Sequence, residues 1–201
     1  MKKIKLVGYL LPSIVAWFTN RRIREERGEE NWDSLLDYWK QSIAAKEIQS
    51  LEKVVDDLYA SEMQRKDTVE SKAASLFEAI GFAISFISIV IVFIERGIAL
   101  ILLLFPMANF VLAGICSWLA TRIGEFFLPT LEAIKDNLEL AKKKPKNKLK
   151  TNWIAEKLAN TEMNRSLILI KSNWLVAAYQ HFMLGILSTV IVFAIVVLSI
   201  L

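Results

Sequence analysis

The chain has 201 residues, of which 54% are hydrophobic and 23% are charged, and its net charge is +4. Hydrophobic and charged residues are separated into long blocks, which is typical of a membrane protein and excludes an ordinary soluble core. The single cysteine, Cys116, excludes an intrachain disulfide framework and a thiolate-rich metal site.

The first 30 residues combine an apolar stretch with a cluster of arginines. Residues 1–18 begin with MKKIK, are interrupted by Pro12, and lead into TNRRIREER without a small-residue cleavage site. This stretch is too short to span the membrane easily, so it either lies on the membrane surface or enters the bilayer. The composition favours an interfacial anchor over residues 1–30, with Trp17 and Phe18 at the headgroups and the arginines on anionic lipid.

A long amphipathic helix is predicted next. Asp33 and Ser34 are suitable N-cap residues for a helix that begins near Leu35 and continues, with a break, to Ile94. Its cytoplasmic part, residues 31–72, carries apolar side chains at three- and four-residue spacing. These predict a seam that packs either within the subunit or against another chain. The seam consists of Ile48, Leu51, Val55 and Leu58.

Three stretches are long and apolar enough to span a membrane: residues 73–94, 97–121 and 182–201. Lipid cannot satisfy free backbone groups, and the alternation of barrel strands is absent, so these spans are predicted to be helices. The first two form a hairpin over residues 73–121, with Glu95, Arg96 and Gly97 at its tip. The predicted fold is therefore an all-α integral membrane protein with three transmembrane helices.

A basic run lies between the second and third spans, within the predicted cytoplasmic segment 122–173. No aromatic residue interleaves with its lysines, so base stacking with nucleic acid is not expected, and anionic lipid or a partner protein is the favoured contact. A last helix is predicted to begin near Thr151 and to continue into the third transmembrane segment, residues 174–201. The lysines of the run are Lys142, Lys143, Lys144, Lys146, Lys148 and Lys150.

The distribution of basic residues predicts the topology. Residues 1–77 contain 13 lysines and arginines and residues 122–172 contain 11, which leaves only Arg96 of the 25. By the positive-inside rule these two segments are cytoplasmic. We therefore expect a bacterial inner-membrane protein whose N-terminus is cytoplasmic and whose C-terminus is periplasmic.

Catalytic signatures are missing from the sequence. There is one histidine, His181, for which a hydrogen-bonding role at the membrane edge is expected, and there is no glycine-rich phosphate loop, no H-E-x-x-H and no Cys/His cluster. We expect neither an enzyme nor a bound metal or cofactor. The polar residues in or beside the spans are instead membrane or pore candidates: Glu78, Asn109 and Arg96.

Two interpretations remain open for each of the first two candidates. Glu78 either faces a partner or a water-filled path, or lies in the headgroup zone because the hydrocarbon region begins near Ala79. Asn109 follows Pro106 by three residues and either hydrogen-bonds between helices or lines a pore. If both groups line an opened state, replacing either one by Leu is expected to stabilise the closed packing and reduce toxicity.

Two motifs carry a resemblance to a known family. They are D-T-V-E-S-K-A-A-S-L at 67–76, before the first span, and I-L-I-K-S-N-W-L-V-A-A-Y-Q-H-F-M-L-G-I-L at 168–187. Both resemble segments of the small transmembrane effectors of bacterial anti-phage defence, of the Pycsar type and related kinds. The resemblance implies a dormant inner-membrane protein that is triggered through its cytoplasmic part, oligomerises or rearranges, and breaches the membrane.

Two functions are therefore expected from the sequence. The first is a membrane effector of an anti-phage, abortive-infection system, triggered by a nucleotide signal or a partner protein. The second is a non-toxic scaffold or sensor that anchors a cytoplasmic partner. In both, the expected partners are membrane lipid together with a second copy of the chain or a cytoplasmic defence protein.

Overall fold

The structure, a computed structural model, describes residues 11–27, 32–43, 48–93, 98–122 and 146–200. These residues form five α-helices and no strand, which confirms the all-α prediction. The hairpin tip at 95–97 lies outside the described residues. The helices are α1 (Pro12–Arg27), α2 (Trp32–Ser42), α3 (Ile48–Phe93), α4 (Ile98–Arg122) and α5 (Lys146–Ile200).

Three of these helices are long and apolar enough to cross a membrane, as the sequence predicts. The qualifying segments are Leu51–Ile89 of α3, Leu100–Arg122 of α4 and Lys150–Leu198 of α5. Helix α5 has 55 residues and continues without interruption from the end of the basic run through the third predicted span. The predicted continuity of the last helix into the third apolar stretch is therefore confirmed.

The predicted helix starts are wrong by a few residues. Helix α2 begins at Trp32 rather than near Leu35, so Asp33 lies in the first turn. There its carboxylate interacts favourably with the positive end of the helix dipole. Helix α5 begins at Lys146 rather than near Thr151, because the lysines and the leucine that precede Thr151 are good helix formers.

Pro12 lies at a helix start, and residues 1–10 before it lie outside the described part of the chain. It is the first residue of α1, a position where the missing backbone N–H has no helical partner to lose. The helix then continues through the arginines to Arg27.

The chain divides into two compact units. The apolar unit consists of Met1–Arg21, Val69–Ile123 and Ile170–Leu201, and the polar unit consists of Arg22–Thr68 and Gly124–Leu169. Both α3 and α5 therefore contribute residues to each unit. The buried side chains of the apolar unit include Ala73, Leu76, Ile80, Leu103 and Phe110.

Within the apolar unit, α4 runs antiparallel to both α3 and α5. Contacts near Ser117 and Gly114 of α4 fall near Ala73 and Ile80 of α3, in reversed order. Helix α5 passes close to α4 at Gly185, where an added Cβ would come within 2.8 Å of the Phe110 ring, and at Lys171, beside the Thr121 carbonyl, so the order is again reversed. This alternation of direction is what three consecutive crossings of a membrane require.

Within the polar unit, α3 and α5 run parallel. Glu52 pairs with Lys150 at 2.7 Å and Asp56 pairs with Lys157 at 2.5 Å, so both partners advance along the chain together. Between these pairs lies a small apolar core. Its members are Val55 and Ile154, with Ile43 and Leu158 packed against them.

Candidate functional site

A buried histidine links three helices of the apolar unit. His181 of α5 is 1% exposed. Its Nδ1 lies 3.1 Å from Oδ1 of Asn109 on α4, and its Nε2 lies 3.2 Å from the hydroxyl oxygen of Ser13 on α1. Asn109 therefore makes an interhelical hydrogen bond, the first of the two roles that the sequence left open for it.

The neighbouring hydrogen bonds favour one tautomer of this histidine. The Asn109 side-chain NH₂ donates to the carbonyl of Phe105 at 3.0 Å, so its Oδ1 is the atom that faces His181 as an acceptor. The imidazole consequently donates from Nδ1 and accepts at Nε2. The backbone N–H of Ser13, 3.4 Å from Nε2, is one of the donors that a helix start leaves without an intrahelical partner. His181 thus caps α1 from another helix.

A second polar layer lies further along the same helices. Asn173 of α5 donates to Oδ1 of Asn20 on α1 at 2.8 Å, and Asn20 donates to the Ile170 carbonyl at 3.3 Å. In the same layer Lys171, 2% exposed, forms an ion pair with Glu70 of α3. Its Nζ also lies 3.4 Å from the Thr121 carbonyl of α4. Two layers of polar side chains therefore connect α1, α3, α4 and α5.

The three long apolar helices differ in the residues that they expose. Every exposed residue of α4 from Leu100 to Trp118 is apolar, and the same holds for α5 from Phe182 to Leu198. Helix α3 instead exposes a run of small and polar residues at four- and three-residue spacing, which places them on one face. This surface, here called the Glu78 face, consists of Ala74, Glu78, Gly81, Ser85 and Ser88.

Within the Glu78 face the serines and the carboxylate are in different situations. Ser85 and Ser88 donate to carbonyls of their own helix, at 2.9 Å and 2.8 Å, and a hydroxyl bonded in this way tolerates lipid. The Glu78 carboxylate is exposed, in a helix long and apolar enough to span. The Glu78 face therefore carries one strongly polar group.

The structure separates the four residues of the predicted seam. Val55 is 2% exposed and packs against Ile154 within the chain, whereas Leu58 is 43% exposed. Leu51 is half-buried. For Ile48 only the backbone, at the start of α3, is described. The seam residues thus divide between an internal core and an outer surface.

Little of the basic run falls on the described residues. Lys142, Lys143 and Lys144 lie outside them, and Lys146 and Lys148 have a described backbone only. Arg96, the pore candidate at the hairpin tip, also lies outside the described residues. The sixth lysine of the run, Lys150, is engaged with Glu52 in the polar unit.

The polar unit contains buried polar groups that no pattern in the sequence indicates. Trp32 donates to Oδ1 of Asn160 at 2.9 Å, and Trp39 donates to Glu162 at 3.2 Å. Two buried atoms in the described part of this unit, Oε2 of Glu62 and Nδ2 of Asn160, have no hydrogen-bond partner. An unpaired buried polar atom costs about 1–3 kcal/mol, so this interior contributes less stability than an apolar one.

Several residues of the polar layers were also missed at the sequence level. Ser13, Asn20, Glu70 and Lys171 are separated along the chain and share no motif. For Lys171 and Asn173, the sequence offered one indication, namely their position just before the third span. Burying a polar side chain there costs free energy unless it is paired. Across the described residues, no group of three His, Cys, Asp or Glu side chains is placed to hold a metal ion.

Comparisons with known proteins do not place the chain in a family. No family model, no curated protein and no solved structure matches it.

Proposed function

We propose that the protein is a membrane-embedded effector of a bacterial anti-phage, abortive-infection system, which compromises the inner membrane when its polar unit is triggered. The observation that carries the proposal is the Glu78 face of α3. The resemblance of residues 67–76 and 168–187 to defence effectors supports the biological setting. The trigger is a nucleotide signal or a partner protein that acts on the polar unit.

The Glu78 face fits a surface that meets other copies of the chain and water. A carboxylate that faces lipid is disfavoured by several kcal/mol, whereas a ring of carboxylates around water attracts cations. The small residues at Ala74, Gly81 and Ser85 allow the backbones of neighbouring helices to approach closely. The exposed faces of α4 and α5, in contrast, suit acyl chains.

The continuity of α3 and α5 supports a connection between trigger and response. Helix α3 has 46 residues and α5 has 55, and each contributes to both units. A rotation or shift imposed on either helix in the polar unit is carried by the same hydrogen-bonded backbone into the apolar unit. There it changes which residues of α3 are exposed.

The hydrogen bond between Asn109 and His181 changes the expectation for one variant. In the packed state Oδ1 of Asn109 accepts a hydrogen bond from the Nδ1–H of a buried imidazole, so Asn109→Leu removes that acceptor and destabilises the closed packing. We therefore expect Asn109→Leu to ease opening, contrary to the expectation from the sequence. Glu78→Leu is still expected to reduce opening, because it removes the group that disfavours lipid.

The test measures membrane depolarisation in cells that carry the intact system during phage infection. Glu78→Leu is compared with Phe86→Leu, a change at an exposed apolar position of the same helix outside the Glu78 face. We expect the wild type and Phe86→Leu to depolarise and Glu78→Leu to depolarise several-fold less at equal membrane levels. Protection by the wild type without depolarisation would reject the effector function.

The second candidate function, a non-toxic scaffold or sensor, is favoured by a different observation. Val54 and Leu58, one turn apart on α3 in the polar unit, are 62% and 43% exposed, and they form an apolar patch suited to a partner protein. In that case Leu58→Ser abolishes co-purification of the partner and loss of function follows, whereas Glu78→Leu is silent. Equal activity of Leu58→Ser and wild type would reject this candidate.

A further inference from the structure

Helix α1 lies along α5 rather than across it. Ser13 contacts His181, and Asn20 contacts Asn173. The two α1 residues are seven positions apart and the two α5 residues eight, which correspond to about 10 Å and about 12 Å of helix. Because nearly equal lengths match in reversed order, the axes of α1 and α5 are antiparallel within the apolar unit.

The depth of α1 follows from the same contacts. His181 bonds Ser13 on one side and Asn109 on the other. Asn109 lies near the middle of α4, a helix of 25 residues. The N-terminal end of α1 is therefore level with the central part of a candidate span, and Asn20 is level with the polar layer around Ile170 and Asn173.

The outer surface of α1 changes character along its length. Its inner face is buried at Pro12, Ala16 and Asn20. On the outer side Leu11 and Ile14 are exposed, then Trp17 and Phe18, then arginines beginning at Arg21, whose guanidinium lies 5.9 Å from the Trp17 ring. A helix that lies flat on a membrane divides apolar from polar residues around its circumference. In α1, by contrast, the exposed apolar residues lie toward the N-terminal end of the helix and the charged residues lie toward its C-terminal end.

We propose that α1 is inserted end-on into the bilayer beside α5, as a further membrane-embedded helix. Its partner is bilayer lipid. Leu11, Ile14, Trp17 and Phe18 contact acyl chains, and the arginines from Arg21 onward lie at the headgroup level and contact anionic headgroups. This replaces the flat interfacial anchor that the sequence favoured. The inference rests on the membrane location in the proposed function but not on toxicity.

The experiment is a depth profile by spin labelling in a Cys116→Ala background. Single cysteines are introduced at Leu11, Ile14, Phe18 and Arg22, which are all exposed and share one face of α1. The full chain is reconstituted in vesicles of phosphatidylethanolamine and phosphatidylglycerol. Relative accessibility to oxygen and to a water-soluble nickel complex then gives the depth of each label.

End-on insertion predicts a steady increase in depth from Arg22 to Leu11, over about 16 Å for eleven residues. A flat anchor predicts one common depth, and that result would overturn the inference. Labels at Leu104 and Val111, exposed on α4, test the membrane location separately. If these α4 labels are deep and the α1 labels share one depth, only the insertion of α1 fails. If the α4 labels are themselves accessible to the nickel complex, the membrane location fails.

A second arm distinguishes packing from attraction by charge. In vesicles of phosphatidylethanolamine and phosphatidylcholine, which lack anionic lipid, we expect the gradient to persist because hydrogen bonds to α5 hold α1. Disappearance of the gradient in these vesicles would show that α1 is held by charge alone and would overturn the inference.

Discussion

The two units of the protein differ in what covers their outer surfaces. In the apolar unit, large apolar side chains such as Phe82 and Leu198 are on the outside, and buried polar groups such as His181 and Lys171 connect helices. In the polar unit, ion pairs lie at the surface, a small apolar core around Val55 lies between α3 and α5, and buried polar groups such as Asn160 also connect helices. When the outer surface of a bundle is apolar, hydrophobicity no longer selects which faces pack together, so hydrogen bonds and small residues must do so.

The largest expected effect concerns the surroundings of the two units. If the apolar unit crosses the membrane three times, alkaline phosphatase fused after Leu201 is periplasmic and active, and the same enzyme fused after Lys150 is cytoplasmic and inactive. Colony colour and specific activity, normalised to fusion-protein level, measure the outcome. The reverse pattern would overturn the orientation, and two inactive fusions would show that the chain does not cross the membrane between Lys150 and Leu201.

The second prediction compares one ion pair from each unit. Glu70→Gln removes the carboxylate paired with the buried Lys171, so it is expected to lower the free energy of unfolding by about 3 kcal/mol. Glu52→Gln breaks the exposed pair with Lys150 and is expected to cost about 0.5 kcal/mol. Thermal unfolding in mild detergent provides the comparison. Equal losses would show that Lys171 is not confined in a low-dielectric interior.

The third prediction compares two glycines within the apolar unit. Gly185→Ala places a methyl group within 2.8 Å of the Phe110 ring, whereas Gly81→Ala meets nothing within 4 Å. The first change is expected to cost about 2 kcal/mol through overpacking and the second to be close to neutral. The same thermal measurement applies. A neutral Gly185→Ala would mean that α4 and α5 separate without cost at this level.

The smallest expected effects concern two residues of the predicted seam in the polar unit, one buried and one exposed. Val55→Ala removes buried methyl groups from the contact with Ile154 and is expected to cost about 1.5 kcal/mol. Leu58→Ala is expected to change the free energy of unfolding of the isolated chain by less than about 0.5 kcal/mol, because Leu58 is exposed. A large loss for Leu58→Ala in the isolated chain would contradict this division, and a loss seen only with a partner present would locate the contact surface.

The helices themselves were largely predictable. Long apolar runs impose helix wherever backbone groups lack water, and this argument identified α4 and the apolar parts of α3 and α5. The predicted starts of α2 and α5 were wrong by a few residues, because several neighbouring residues are suitable for the first turn of a helix. The seam at Val55 and Leu58 illustrates another limit: periodicity places residues on one face, and the partner helix decides how much of that face is covered.

The sequence by itself determined the class of the protein, because the lengths and apolarity of three helices follow from local composition. Only the tertiary structure decided that His181 joins Asn109 to Ser13, that Lys171 pairs with Glu70, and that α1 lies along α5. These contacts join residues 72 to 168 positions apart. No periodic pattern encodes such pairs, because a buried polar group chooses its partner from all the helices packed around it. The chemistry of the candidate site is therefore a property of the packed bundle.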